Sequence, residues 1–461
     1  DPNQFATPSV DMDPGTEHAR AVGGTEYSWC RAVPGGTGTT LLALRLSPRA
    51  SAATAEAAVR SLQSAHPVLR ARLRAASTSS PTLAFPPSSS APQLSLAPQP
   101  SALDFDSLLE RELNINPWAA AEPGPDGVPV LFAALYDLPS PAGGAALFVR
   151  IHTAACDRAA SAALLRELLA HLGGAAAGDT ETVAVEACLE SRIPQRDAWK
   201  PFWARGVDMV GYSINGLRTS TLPFVETGTA RSTQMVRLGF GREDTTRLLD
   251  ACKENGVKLC SAMAAATLLA ARQSKKLDIG QQETYSIATL INSRQFLEPP
   301  LDDHNVGFFY SAITNTHKIN GDESLWELAK RCHDSYTNAK NSKKHLTDIG
   351  DLNFLMLRAI ENPQLTTATA LRTALVSVFE EPVTHDSSDL QSKAGVEDYA
   401  CVATVHGIGP SVGVFDSVRD GRLECACMYP SPLHSRKQMQ ELFDTVKRIL
   451  HEGSNAGGEK L

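Results

Sequence analysis

The chain predicts a two-domain α/β fold, each domain a mixed sheet flanked by helices. Strand-patterned and helix-patterned segments alternate, and they do so twice, on either side of an irregular zone from about Gly173 to Arg231. The chain has 461 residues, 43% of them hydrophobic, enough for more than one core at about 150 residues per domain. On this reading the domains are 1–190 and 232–461, with 191–231 as a crossover linker.

The elements follow from periodicity. Thr39 to Leu46 reads as a strand and Ala52 to Ala65 as a helix, with Ala55, Val59 and Leu62 at helical spacing. Ala75 to Ser101 is Ser/Pro-rich without period and reads as a surface excursion. Val128 to Tyr136 and Ala145 to His152 read as strands, and Arg158 to Leu172 as a helix striped by Leu164, Leu165, Leu168 and Leu169. In the irregular zone, Trp199, Pro201, Phe202 and Trp203 suggest a segment packed where the chain crosses between domains. Beyond it, Ser232 to Phe240, Thr284 to Leu290, Leu371 to Phe379 and Ser411 to Val418 read as strands. Asp244 to Asn255 and Leu259 to Arg272 read as helices, Arg419-Asp420-Gly421-Arg422 as a hairpin turn, and Ser435 to His451 as a closing amphipathic helix.

Composition excludes several classes. The chain carries 43 basic and 51 acidic residues, a formal charge of −8, which argues against nonspecific nucleic-acid binding. No stretch approaches the ~20 apolar residues of a membrane-spanning helix. The nine cysteines form no C-x-x-C pair, none lies near histidines at zinc spacing, and no metal site is expected. A disulfide framework does not suit so long a chain, so reduced thiols and a cytoplasmic location are expected. Cys425 and Cys427 alternate along a strand and should share one packed face. The segment from Asp1 to Glu17 lacks a hydrophobic signal core, and the sequence opens on Asp1 rather than methionine, so a trimmed leader stays open. Oligomeric state is not legible.

Gly35-Gly36-Thr37-Gly38-Thr39-Thr40 lacks the lysine and the strand-to-helix context of a phosphate loop, and reads as a turn between two strands. Dinucleotide fingerprints, zinc helices and nucleophile elbows do not occur. Three other segments stand in a suggestive order: His66-Pro67-Val68-Leu69-Arg70; Leu147 to Asp157, a strand ending in His152-Thr153-Ala154-Ala155-Cys156-Asp157; and Leu290-Ile291-Asn292-Ser293-Arg294 followed by Glu298-Pro299-Pro300-Leu301 and Asn305-Val306-Gly307.

In order and spacing these segments resemble the acyltransferase superfamily that includes chloramphenicol acetyltransferase, plant BAHD acyltransferases and peptide-synthetase condensation domains. The resemblance runs from about Glu26 to His451. It implies two chloramphenicol acetyltransferase-like domains with a channel at their interface. It implies a strand-end His-His-x-x-x-Asp-Gly motif whose second histidine is the general base, and whose Asp is salt-bridged to an Arg on a strand of the other domain. Carried over, His152 matches the first histidine, Asp157 the aspartate and Arg294 its partner. The base position holds Thr153 and the glycine position Arg158. A threonine hydroxyl does not titrate near neutrality, whereas imidazole does. His152 would reach the base position only through a bulge or register shift, because strand neighbours face opposite ways. Thr153 could instead donate to a tetrahedral oxyanion. Cys156 is either a nucleophile or a buried thiol. The strand Val412-Gly413-Val414-Phe415-Asp416-Ser417 lacks the Trp and second Gly of the plant-type Asp-Phe-Gly-Trp-Gly sequence, placing the chain nearer the condensation-like and alcohol-acyltransferase branches.

Lys275-Lys276, and Lys340, Lys343, Lys344 with His345, are each either a grip for the phosphates of coenzyme A or a helix end complementing its dipole. His406, before a Gly-rich turn, either faces the channel or ends a strand. Two functions stay open. One is transfer of an acyl group from a thioester, by resemblance acyl-CoA as co-substrate with no bound cofactor, to an alcohol or amine of a small molecule. The other is a catalytically silent pseudoenzyme that binds a ligand or a protein.

Overall fold

The computed structural model describes residues 16–47, 51–75, 80–87, 94–119, 126–139, 144–174, 185–198, 219–363, 370–385 and 389–455. It divides into two compact units. The first takes Asp1–Pro194, Arg294–Phe309 and Ser387–Thr404; the second takes Gln195–Ser293, Tyr310–Asp386 and Val405–Leu461. Trp199, Pro201, Phe202 and Trp203 lie outside the described residues.

The first unit is built on a five-stranded sheet, in the order Val396–Val405, Thr37–Leu46, Gly144–His152, Leu131–Leu138, Pro98–Pro100. Alternation gives its two faces different jobs. Leu42, Leu44, Leu46, Leu147, Val149 and Ile151 point into one apolar core with Val59 and Leu62 of helix Ala52–Ala65 and Leu164, Leu165 and Leu168 of helix Arg158–Leu172. The opposite parity, Phe148, Arg150 and His152, meets helix Phe105–Leu113, whose Phe105 stacks on Phe148 at 5.9 Å. There Glu112 receives Arg150 and the Tyr136 hydroxyl, so two buried charges neutralise each other two residues before the strand's end.

The second unit holds a seven-stranded mixed sheet, running Tyr310–Ile319, Glu283–Asn292, Val376–Phe379, Val412–Arg419, Arg422–Ser431, Ser232–Gly239, with Val383–His385 paired alongside Val412–Arg419. Helix Leu259–Ser274 is Ala-rich and buried on every side from Leu259 to Arg272, packed between helices Leu325–Asn341 and Arg436–Asn455. A helix apolar all round has no solvent face to offer and becomes a core element. Cys425 and Cys427 share the buried face of their strand, as their alternation predicts. The hairpin turn holds Asp420 at φ 51° and Gly421 at φ 74°.

Four expectations need correction. The Gly-rich run joins helix Gly24–Ala32, through the turn Val33–Gly35, to strand Thr37–Leu46, and is not a strand-to-strand turn. The Ser/Pro-rich excursion contains the strand Thr82–Phe85, in which Leu83, Ala84 and Phe85 are buried, because a short apolar run survives inside polar composition. Val128 to Tyr136 is broken at Val130, whose amide bonds to Ala71 O and whose carbonyl receives His152 N. The strand expected from Leu371 starts only at Val376, because Arg372 makes a single isolated bridge with Gly409.

Gly38 stands at φ +97°, where a Cβ would lie 2.8 Å from the Trp29 ring, while nothing lies within 4 Å of one at Gly35. Gly38→Ala should destabilise the protein by roughly 1–3 kcal/mol, read as a lower urea midpoint. Gly35→Ala should leave the midpoint within about 0.5 kcal/mol of the parent.

Candidate active site

The register between the two central strands runs without a bulge from Leu46↔Ala145 to Thr39↔His152. His152 and Thr153 therefore diverge. His152 keeps the parity of Phe148 and Arg150, and its ring sits edge-on to Trp118 at 5.2 Å. Trp118 is in turn edge-on to Phe132, whose residue pairs with Arg150. The imidazole is 1% exposed, and its Nδ1 accepts the Ala154 amide at 3.1 Å, capping the turn Thr153–Ala155. Its Nε2 has no hydrogen-bond partner among the described residues. Burial pushes its pKa down to about 3, so the ring is neutral and a weak base.

Thr153 turns the other way. Its hydroxyl lies 2.8 Å from that of Thr40, which is 3.3 Å from Cys156 O. Each hydroxyl has one proton to give. Either Thr153 donates to Thr40 and Thr40 to Cys156 O, or Thr40 donates to Thr153 and the Thr153 proton is released. Helix Gly24–Ala32 packs on the turn. The Cys156 thiol is fully buried, and burial, reinforced by the Asp157 charge, holds its pKa well above the ordinary thiol value. A thiolate nucleophile is thereby disfavoured.

Asp157 works in three directions at once. Its Oδ1 accepts Ala160 N at 2.9 Å, capping helix Arg158–Leu172. Its Oδ2 receives Arg294 Nη1 at 2.8 Å and Phe309 N at 2.7 Å. Its own amide donates to Gly307 O at 3.0 Å. Arg294 sits in the short turn Arg294–Phe296 following strand Glu283–Asn292, lies in the same unit as Asp157, donates Nη2 to Asn305 O at 3.0 Å, and covers the Phe309 ring at 4.9 Å. Asn305 extends the network to Glu186 at 2.9 Å, and Glu186 to Arg192. The motif segments 152–157, 294 and 305–309 thus meet in one hydrogen-bonded knot.

The lysines belong to the second unit, where Lys275, Lys340, Lys343 and Lys344 are engaged. Lys275 pairs with Glu283 at 2.5 Å and lies over the Tyr285 ring, and Lys276 follows it at φ 53°. Lys340 reaches Glu380 at 2.7 Å, Lys343 reaches Asp197 at 2.6 Å, and Lys344 reaches Asp348 at 3.4 Å. His345 is buried, with a pKa lowered to about 4 chiefly by that burial. His66 meets Glu167 at 2.7 Å, and His304 meets the same carboxylate at 3.1 Å. The sequence reading missed Thr40, Trp118 and the Phe309 amide. A Thr39-Thr40 pair opening an otherwise apolar strand was the available signal. Among the described residues no cluster of three metal-ligating side chains occurs, and no helix is long and apolar enough to cross a membrane.

Residues 229–339 match the family model for the C-terminal part of phthiocerol/phthiodiolone dimycocerosyl transferase. Trichothecene 15-O-acetyltransferase from Fusarium sporotrichioides superposes with TM-score 0.73 at 13% identity, covering 98% of each chain. Polyketide synthase associated protein 5 from Mycobacterium tuberculosis gives 0.62 at 16% identity, covering 95% of this chain and 99% of its own. The X-domain of teicoplanin biosynthesis, in complex with OxyB, gives 0.58 at 18% identity, covering 95% of this chain and 93% of its own. No curated protein sequence matches. The chain has the fold of these solved structures, as the resemblance to chloramphenicol acetyltransferase-like enzymes implies.

Arg294→Met should cost about 3–5 kcal/mol in chemical denaturation, because it leaves the Asp157 carboxylate buried without its counter-charge. Arg45→Ala, which removes a surface pair with Glu397, should cost at most about 1 kcal/mol. A second expectation concerns pH. Between a folded pKa of about 3 for His152 and an unfolded value near ~6.5, the unfolded chain binds more protons. Stability should therefore fall as pH drops through that window, by up to about 1.4 kcal/mol per pH unit for this histidine. Melting curves of the parent and of His152→Gln, taken from pH 7.5 to 4.5, should show a shallower dependence in the variant.

Proposed function

We propose that the protein transfers an acyl group from a thioester, acyl-CoA in the first instance, to an amine of a small molecule in preference to an alcohol. The observation that carries this reading is the strand-end turn. Its Asp157–Arg294 knot is complete, yet none of the three titratable side chains of the turn, His152, Cys156 and Asp157, is placed for general-base work. His152 is sealed and held neutral near pKa 3, Cys156 stays protonated, and Asp157 is occupied by Arg294, Phe309 N and Ala160 N.

An alcohol must shed its proton as it attacks, so it needs a base. A neutral amine attacks with its own lone pair: the C–N bond forms, the C–S bond breaks, and the ammonium proton leaves afterwards to the departing thiolate, giving an amide and a free thiol. Such a transfer needs mainly placement. Thr153 supports the reading as a donor to the developing oxyanion. Reversing the Thr153–Thr40 bond frees its proton at the expense of the long 3.3 Å bond from Thr40 to Cys156 O.

The sealed His152 also supports a second reading, a module of this fold that binds without catalysing. The X-domain of teicoplanin biosynthesis, structurally similar, is known in complex with OxyB.

Thiol release and product mass, measured with a panel of acyl-CoAs against amines and alcohols, tests both. Transfer to amines should exceed transfer to alcohols, Thr153→Val should lower it by about 10²-fold or more, and Thr153→His should raise transfer to alcohols by on the order of 10²-fold. Absence of any product from the parent, with no gain in Thr153→His, would sink acyl transfer and leave the binding module.

A further inference from the structure

Helices Leu259–Ser274, Leu325–Asn341 and Arg436–Asn455 of the second unit frame an open cavity of about 340 Å³, at the small end of the range for small-molecule sites. Part of its lining is apolar: Leu269, Leu325 and Ile449, one from each helix, are buried beside it. Arg272, in the last turn of the first helix, also lines it and is only 5% exposed. Its Nη2 donates to Asp278 O at 2.6 Å and Gln281 O at 3.1 Å, which fixes the guanidinium in place. Nε is sealed without a hydrogen-bond partner among the described residues. Nη1 also has no partner among them, and it lies against Gly321, another lining residue. Gly321 stands at φ +97°, and a Cβ there would overlap the guanidinium, so backbone and space both call for glycine.

The other charged groups lining the cavity are matched. The Glu323 carboxylate accepts the amides of Asn320 at 2.9 Å and Gly321 at 2.8 Å, and faces Arg331 at 3.5 Å. Glu452 pairs with Arg448 at 3.2 Å, and Arg448 Nη2 donates to Gln273 Oε1 at 3.2 Å. That bond takes the oxygen of the Gln273 amide and leaves its Nε2 protons unused among the described residues, one position along the helix from Arg272. The unmatched charge of the lining is therefore a single guanidinium, and the unused donors beside it are Arg272 Nη1 and Gln273 Nε2.

We propose that this cavity binds a small monocarboxylate on a short apolar stem. The carboxylate accepts protons from Arg272 Nη1 and Gln273 Nε2, a charge-assisted pairing, while the stem covers Leu269, Leu325 and Ile449. One negative charge suits the site. A dianion such as phosphate would bring surplus charge beside Glu323 and Glu452, which share the lining. A cation would meet Arg272 itself, and a neutral molecule would leave its charge unmatched. Because two carbonyls and Gly321 already hold the guanidinium, little side-chain freedom is lost when the ligand enters.

The site makes no use of acyl transfer and is tested by binding alone. Butyrate, inorganic phosphate and 1-butanol are titrated into the whole chain by calorimetry, while the amide resonances of Gly321 and Gly453, both in the lining, are followed by NMR. Butyrate should bind saturably, with both resonances shifting along the same isotherm. Phosphate and butanol should each bind roughly tenfold or more weakly. Arg272→Gln should weaken butyrate roughly tenfold or more. Lys437→Gln, which removes an exposed lysine near the other end of helix Arg436–Asn455, should leave its affinity unchanged. Arg272 also ties down Asp278 and Gln281, so should Arg272→Gln fail to fold, Gln273→Glu takes its place. It sets a negative charge at an exposed position beside the site and should weaken butyrate about threefold or more. Butyrate that does not saturate, that leaves Gly321 and Gly453 unmoved, or that binds no better than butanol or phosphate overturns the proposal. So does an affinity unchanged in folded Arg272→Gln, or in Gln273→Glu where that variant decides.

Discussion

The carboxylate of Asp157 binds together chain segments that are far apart in sequence. It caps helix Arg158–Leu172, takes the Arg294 guanidinium and receives the Phe309 amide. A buried carboxylate without partners would be neutralised rather than tolerated, so its presence obliges the segment around Arg294 and Phe309 to close over the turn after His152. Through Asn305 and Glu186 the same network reaches Arg192. Such a pair contributes little net stability against an apolar replacement. What it supplies is position: the turn has one arrangement in which every polar atom of the Asp157 carboxylate is satisfied.

The chemistry of the turn follows from parity. An unbroken register sends His152 to the face of Phe105 and Trp118, and Thr153 to the face of Thr40. A bulge would have exchanged them; none occurs. The imidazole that survives in the motif therefore serves as a cap for the Ala154 amide, and its desolvation makes it a weak base. The hydroxyl at the position implied for the base belongs to a two-threonine chain with one movable proton. Under the proposed acyl transfer, the acceptor's own proton is the controlling variable, which separates amines from alcohols.

Much of the fold was legible because burial and periodicity agreed. Helices Ala52–Ala65 and Arg158–Leu172 begin and end where their apolar stripes do, and the strands ending at Leu46 and His152 do likewise. What escaped was built from polar residues. Helix Gly24–Ala32 buries Thr25, Glu26 and Ser28, so its inner face carries no hydrophobic stripe. Strand Tyr310–Ile319 is rich in Thr, Asn and His. Helix Leu325–Asn341 did carry a readable signal, the capping box of Ser324 and Glu327. At the site, the residue types at 152, 153, 157 and 294 were plain in the sequence, but their facing was not. Nor could it show that Lys275 and the lysines near His345 are already matched by Glu283, Glu380, Asp197 and Asp348, since those partners are brought in by tertiary folding.

The matching of charges has an exception at Arg372 and Arg231. Asp157, Glu112, Glu380 and Glu283 each meet a cation, so buried or half-buried charge in this protein is as a rule compensated by its opposite. Among the described residues Arg372 and Arg231 break the rule and are met by carbonyl oxygens. Carbonyl oxygens solvate a guanidinium but do not cancel its charge; burial first, and the arginine charge after it, lower the pKa values of His406 and His434 to about 4. Among the described residues, then, the charge of Asp157 is cancelled by an opposite charge, whereas that of Arg372 is only solvated by carbonyl oxygens.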